Sequence, residues 1–148
     1  MEIAALIVSI IAAIIALVVA YIQHIREHSI NQTNLEAVYF NEIYKEYLIK
    51  RIPSSRKYIH IDMYGVLKDT DKIRNELNNI RQDSLYYLYN DEVFYKELKN
   101  KCQNLEDYLI SCSANPLVGE EQTDFHNKLQ SDLKEIYRII NNKFLGKK

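Results

Sequence analysis

The chain has no tryptophan and only three glycines, two prolines and two cysteines in 148 residues. So few glycines, set far apart at Gly65, Gly119 and Gly146, leave no glycine-rich phosphate loop. G-x-S-x-G, H-E-x-x-H and Cys-x-x-Cys are also missing, so no enzyme activity is expected. Cys102 and Cys112 make no disulfide framework and fit a reducing compartment. No cofactor and no metal site is expected. His24 and His28 share a helix face at i, i+4, but beyond Glu27 no third ligand follows, and the pair reads as interfacial.

Charge is missing from Ile3 to Ile22, where Ser9 and the Tyr21 hydroxyl are the polar groups. Twenty residues of helix span roughly 30 Å, the thickness of a bilayer's hydrocarbon core. A helix satisfies its own backbone, which lipid cannot do, so the β-branched content of this run does not make it a strand. A cleaved signal peptide is the rival reading. Glu2 in place of a basic n-region, and the length of the run, speak against it. Residues 1–28 therefore read as a single transmembrane anchor. Arg26, then Lys45, Lys50 and Arg51, follow the span and no basic side chain precedes it. The positive-inside rule then puts residues 31–148 in the cytoplasm, beneath the inner (cell) membrane.

Past Glu2 the domain holds 19 Asp plus Glu (20 minus Glu2) against 19 Lys plus Arg. That balance disfavours duplex nucleic acid as a partner. Tyrosine is abundant, 12 residues, and supplies apolar surface, a hydroxyl and a stacking face.

Thr33-x-x-Glu36 reads as a capping box opening a helix through Leu35, Tyr39, Ile43 and Tyr47, which ends at Ile52 before Pro53. Pro53-Ser54-Ser55 reads as a break. Residues 57–62 and 66–68 suggest a small hairpin turning at Met63-Tyr64-Gly65. Asp69 or Thr70 should cap a helix striped by Ile73, Leu77, Ile80, Ser84 and Tyr87 or Leu88. Asn90 should cap the next, with a seam of Phe94, Leu98, Cys102, Leu105, Leu109 and Cys112. The last helix carries Phe125, Leu129, Leu133, Ile136, Ile140 and Phe144 and stops at Gly146. The expected fold class is mainly α: one transmembrane helix, then about four helices with a small β-hairpin. Its Tyr-rich faces exceed what one bundle needs, so a homo-oligomer is expected.

The best cluster for chemistry is Lys50-Arg51-Ile52-Pro53-Ser54-Ser55-Arg56-Lys57. Four cations and two hydroxyls in one turn suit phosphate. Arg51, Arg56 and Lys57 are the cations singled out there, with Ser55, Tyr58 and His60 beside them. Arg81, with Tyr86 and Tyr87, is the second candidate; the plainer expectation for Arg81 is a carboxylate across the bundle. The plainer one for the first cluster is a solvated turn, or one touching anionic lipid.

An apolar amino-terminal anchor, a short Tyr-rich helical domain and no catalytic motif resemble, in layout, the small membrane effectors of type III CRISPR antiviral systems. The resemblance implies a cytosolic domain that binds cyclic tetra-adenylate, assembles as a tetramer and perturbs the membrane on activation. On that reading phosphates meet Arg56, Lys57 or Arg81, and adenines stack on Tyr58, Tyr86 or Tyr87. A membrane-tethered interaction scaffold and a holin-like pore or toxin share the same layout.

The apolar run predicts that the full chain, made in cells, sediments with membranes and needs detergent for release. Recovery as a monomer in the detergent-free supernatant would refute the anchor.

Overall fold

The first proline is Pro53 and the first glycine Gly65, so neither residue type interrupts a helix before Pro53. The computed structural model describes residues 2–146, apart from the side chains of residues 2–9, 28, 29, 32 and 33. His28 of the histidine pair and the Thr33 hydroxyl lie outside the described side chains. The protein is mainly helical: six α-helices, two short π-helical stretches and one two-stranded antiparallel sheet among the described residues. It divides into two compact units, Met1–Val38 and Tyr39–Lys148.

Helix α1 is Glu2–Tyr39. Within it, Ile10–Glu27 is long and apolar enough to cross a membrane, with mean hydropathy 1.7 and no buried share. The helix expected to open at Thr33 does not start there, because α1 runs on to Tyr39. Prolonging a helix adds one hydrogen bond per residue, whereas a new start repeats the costly nucleation step. A capping box therefore has nothing to cap where the preceding turn is already helical.

The second unit opens with π-helical turns at Phe40–Tyr44 and Tyr47–Arg51, followed by α2, Ile52–Tyr58. Pro53-Ser54-Ser55 is helical and not the break that the proline suggests. Proline is tolerated in a first helical turn, where its missing N–H matters least. The wide turn before it adds a second reason. The Ile52 N–H reaches the Tyr47 carbonyl five residues back. In that pattern the carbonyl left without a donor by Pro53 is that of Leu48, and the Tyr137 hydroxyl donates to it at 2.6 Å.

Strands β1 (His60–Ile61) and β2 (Leu67–Lys68) pair His60 with Lys68 and Ile61 with Leu67. Asp62 holds the turn, its Oδ1 accepting from the backbone N–H of Tyr64 and of Val66, both at 2.9 Å. Gly65 sits at φ +80°, and a Cβ there would lie 2.6 Å from the Leu117 carbonyl oxygen. Its own carbonyl accepts from the Leu117 N–H at 2.8 Å, tying the hairpin to the loop before the last helix.

Helix α3 (Asp71–Asp83) follows with Thr70 at its cap position, where the side chain makes no capping bond. After the single turn α4 (Tyr87–Asn90), Asp91 and not Asn90 caps α5 (Glu92–Ala114), accepting from the Phe94 N–H at 3.1 Å. Helix α6 is Glu120–Phe144. The expected stripes meet in one core. Ile73, Leu77, Ile80 and Ser84 are buried from α3, Phe94 to Leu109 from α5, and Phe125 to Ile140 from α6. Cys112 and Phe144 pack at its edge. Each fully buried Leu or Ile is worth about 1.5–3 kcal/mol against exposure.

Much of the tyrosine goes inward. Tyr44 lies 5.0 Å from Phe144, and Tyr87 lies edge-on to Phe94 at 5.1 Å, centroid to centroid. Burial raises the Tyr44 phenol above its usual value, so it stays a donor. Ser84 Oγ gives its proton to the Ile80 carbonyl at 2.6 Å. Tyr44 Oη, 2.9 Å away, is therefore the donor to Ser84.

Tyr137→Phe should lower stability by about 1–2 kcal/mol, because the Leu48 carbonyl loses its partner. With Pro53→Ala the backbone N–H returns, and the same change should cost less. A denaturant double-mutant cycle checks the pair; equal losses in both backgrounds would refute the compensation.

Candidate functional site

The wide turn at Tyr47–Arg51 and helix α2 point one face toward α3. On it the i, i+4, i+8 spacing aligns Lys50, Ser54 and Tyr58, with Arg51 and Ser55 beside them. From α3 come Lys72, Asn75 and Glu76, which flank the buried stripe of Ile73 and Leu77. These eight residues line a cleft of about 400 Å³.

The groups in it are unequally free. Arg51 Nε pairs with Glu76 at 2.7 Å, and the guanidinium lies over the Tyr47 ring at 4.3 Å. Its terminal nitrogens make no protein hydrogen bond among the described residues. Ser55 Oγ gives its proton to the Arg51 carbonyl at 2.7 Å and offers a ligand only lone pairs. Lys72 Nζ sits 3.4 Å from the centre of the Tyr58 ring, so one face of that ring already holds a cation. Lys50 makes no ion pair among the described residues. Three cations against one carboxylate leave the cleft positive, and charged, forked and hydroxyl donors converge there as phosphate recognition requires.

Arg51, Ser55 and Tyr58 are thus the expected site residues that the fold brings together. Arg56 projects from a different face of α2, and Lys57 is exposed outside the cleft. His60 is on β1, its Nδ1 3.1 Å from the Tyr58 carbonyl and 3.5 Å from Asp69 Oδ2. Arg81 meets Glu106 across the helices at 2.7 Å and Asn78 at 3.1 Å, the carboxylate pairing that was the plainer expectation. Tyr87 is enclosed by the aromatic core. Tyr86 is half-exposed, with its ring 5.3 Å from that of Tyr39. Sequence reasoning missed Lys72, Asn75 and Glu76. Their signal was their place beside the apolar stripe of α3, on the edge that a neighbouring helix covers.

Among the described residues no three His, Cys, Asp or Glu side chains gather as metal ligands. Burial pushes the Cys102 thiol up to about 12, which leaves it a neutral, inert core group. Comparison with protein-family models, with curated proteins and with solved structures finds no match.

Two carboxyl groups outside the cleft are held below their usual range. Burial raises the Asp132 carboxyl, but hydrogen bonds from Lys101 (2.9 Å) and Lys128 (3.1 Å) outweigh it and hold the group below its usual range. Hydrogen bonds to Lys143 and to the Phe94 N–H do the same for Asp91. A carboxyl lower in the folded chain than in the unfolded one adds stability above the unfolded value, near 4. That stability is lost as pH falls through the folded value. The thermal midpoint should therefore drop as pH falls below about 4, and less steeply for Asp132→Asn. A midpoint flat between pH 5 and pH 2 would contradict these pairings.

Proposed function

We propose that this chain is a membrane-anchored effector of antiviral defence whose cytoplasmic domain binds a cyclic oligoadenylate, and that it is not an enzyme. The observation that carries the reading is the positive cleft between α2 and α3. It joins Lys50, Arg51 and Lys72 to two serines and a half-exposed tyrosine ring. Phosphate uses the cations and hydroxyls, and a base uses the free face of Tyr58 or displaces Lys72 from the other. The layout shared with type III CRISPR membrane effectors supports cyclic tetra-adenylate as the messenger.

Size bears on assembly. A cleft of about 400 Å³ lies near the low end of ligand sites, roughly 300–1,000 Å³, and takes about one nucleotide unit. A cyclic tetranucleotide would then be shared by symmetric copies, each offering the same residues. That is the reason to propose a tetramer. Ligand that binds one packing of the copies more tightly shifts them toward it, and the attached apolar helices carry the change to the bilayer.

One observation favours a second reading, a tethered protein-interaction scaffold. Met63, Tyr64 and Val118 are 88%, 75% and 71% exposed, and the Gly65–Leu117 backbone bond holds their two loops together. On that reading the hairpin tip docks a protein partner.

The full chain in lipid nanodiscs should bind cyclic tetra-adenylate saturably. Lys50→Gln with Lys72→Gln should weaken binding at least tenfold, and Arg81→Gln should leave it unchanged. Liposomes carrying the chain should leak dye only with ligand. Absence of binding to any cyclic nucleotide would end this reading in favour of the scaffold.

A further inference from the structure

Helix α2 has a second concave side. Ile52, Pro53, Leu133 and the Tyr137 ring form an apolar floor, and Arg56, Lys134 and Gln130 stand at its rim around a cavity of about 260 Å³. Neither cation at that rim forms an ion pair among the described residues. Arg51, Arg74, Arg81, Lys101 and Arg138, by contrast, each meet a carboxylate. Two cations that line one cavity without a carboxylate between them gain by taking an anion there.

The floor restricts which anion. Tyr137 gives its hydroxyl proton to the Leu48 carbonyl, so it offers the cavity a ring and no donor. Arg56 and the Tyr137 ring line the same cavity, and burial pushes the phenol up while the charge of Arg56 pulls it down. Proline and tyrosine rings beside Leu and Ile make a surface for a flat or compact apolar group. An inorganic ion would leave that floor uncovered. A bulky ligand exceeds the volume, which is below the usual range for drug-sized molecules, about 300–1,000 Å³.

We propose that the groove between α2 and α6 binds a small organic anion, a phosphate or carboxylate carried on a compact apolar group, with Arg56 and Lys134 on the charge and Pro53, Leu133 and Tyr137 against the apolar body. The guanidinium fork matches either anion with two parallel N–H bonds, and the ammonium adds a point charge. Gln130 supplies one amide donor or acceptor for a neutral polar group on the ligand. This site is distinct from the α2–α3 cleft, shares none of its residues, and does not depend on the function proposed for that cleft.

Phenyl phosphate is the probe. The full chain in zwitterionic nanodiscs is titrated and read by saturation-transfer NMR on the ring protons. Saturable transfer is expected, with inorganic phosphate competing only at tenfold or higher concentration. Arg56→Gln with Lys134→Gln should weaken the probe at least tenfold. Gln130→Trp, at an exposed position on α6, should fill the groove and abolish transfer. Lys50→Gln with Lys72→Gln should leave it intact, which separates this site from the cleft. Transfer that is equal in wild type and Gln130→Trp overturns the proposal. So does competition by inorganic phosphate at the same concentration as the probe, which would mark a patch that reads charge alone.

Discussion

The helical run from Phe40 to Tyr58 is the part on which the rest of the second unit depends. Pro53 removes one of its backbone donors, a hydroxyl from α6 replaces that donor, and the run's own side chains tie it to distant elements. Tyr44 bonds to Ser84 and Tyr47 to the Asp83 carboxylate. Leu48 receives the Tyr137 hydroxyl, and Arg51 meets Glu76. Each tie reaches a residue 25 or more positions away, so the run is held by tertiary structure and not by local propensity. Both concave sites line this run, the cleft through Lys50 to Tyr58 and the groove through Ile52 to Arg56. Functional sites are often built where a helix departs from α geometry, because a wide turn re-aims side chains that a regular turn would place elsewhere.

How far the fold was legible depended on whether a residue answers to its neighbours or to distant ones. The stripes Ile73–Leu77–Ile80, Phe94–Leu98–Cys102 and Phe125–Leu129–Leu133 could be read because helical periodicity is a property of the segment itself. The hairpin's turn was legible from Gly65 and its flanking apolar residues, but its first strand is only His60–Ile61, because Lys57 and Tyr58 belong to α2. Thr33 and Pro53 misled for one reason. Each carries a local stop or start signal, and in each case the signal yields to surroundings that the local sequence does not encode. A continuing helix silences the first. A wide turn and a hydroxyl from α6 neutralise the second.

The candidate site was half legible. Basic and hydroxyl residues crowded between Lys50 and Lys57 announce an affinity for anions. A helix then sorts consecutive residues onto different faces, so Arg51 and Arg56 part company. Arg81 and Tyr87 drew attention as a cation and a ring close together in sequence, and the structure employs them in an ion pair and in the core. Lys72 went unnoticed because nothing local distinguishes it from any other solvent-facing lysine. Its place opposite Tyr58 comes from the packing of α3 on α2.

Hydrogen exchange on the full chain in lipid nanodiscs, with and without cyclic tetra-adenylate, tests the central claim most directly. Ligand in the cleft should slow exchange at residues 50–59 and 72–76 and leave α5 unchanged. Exchange indifferent to ligand, or protection confined to other segments, would contradict the account.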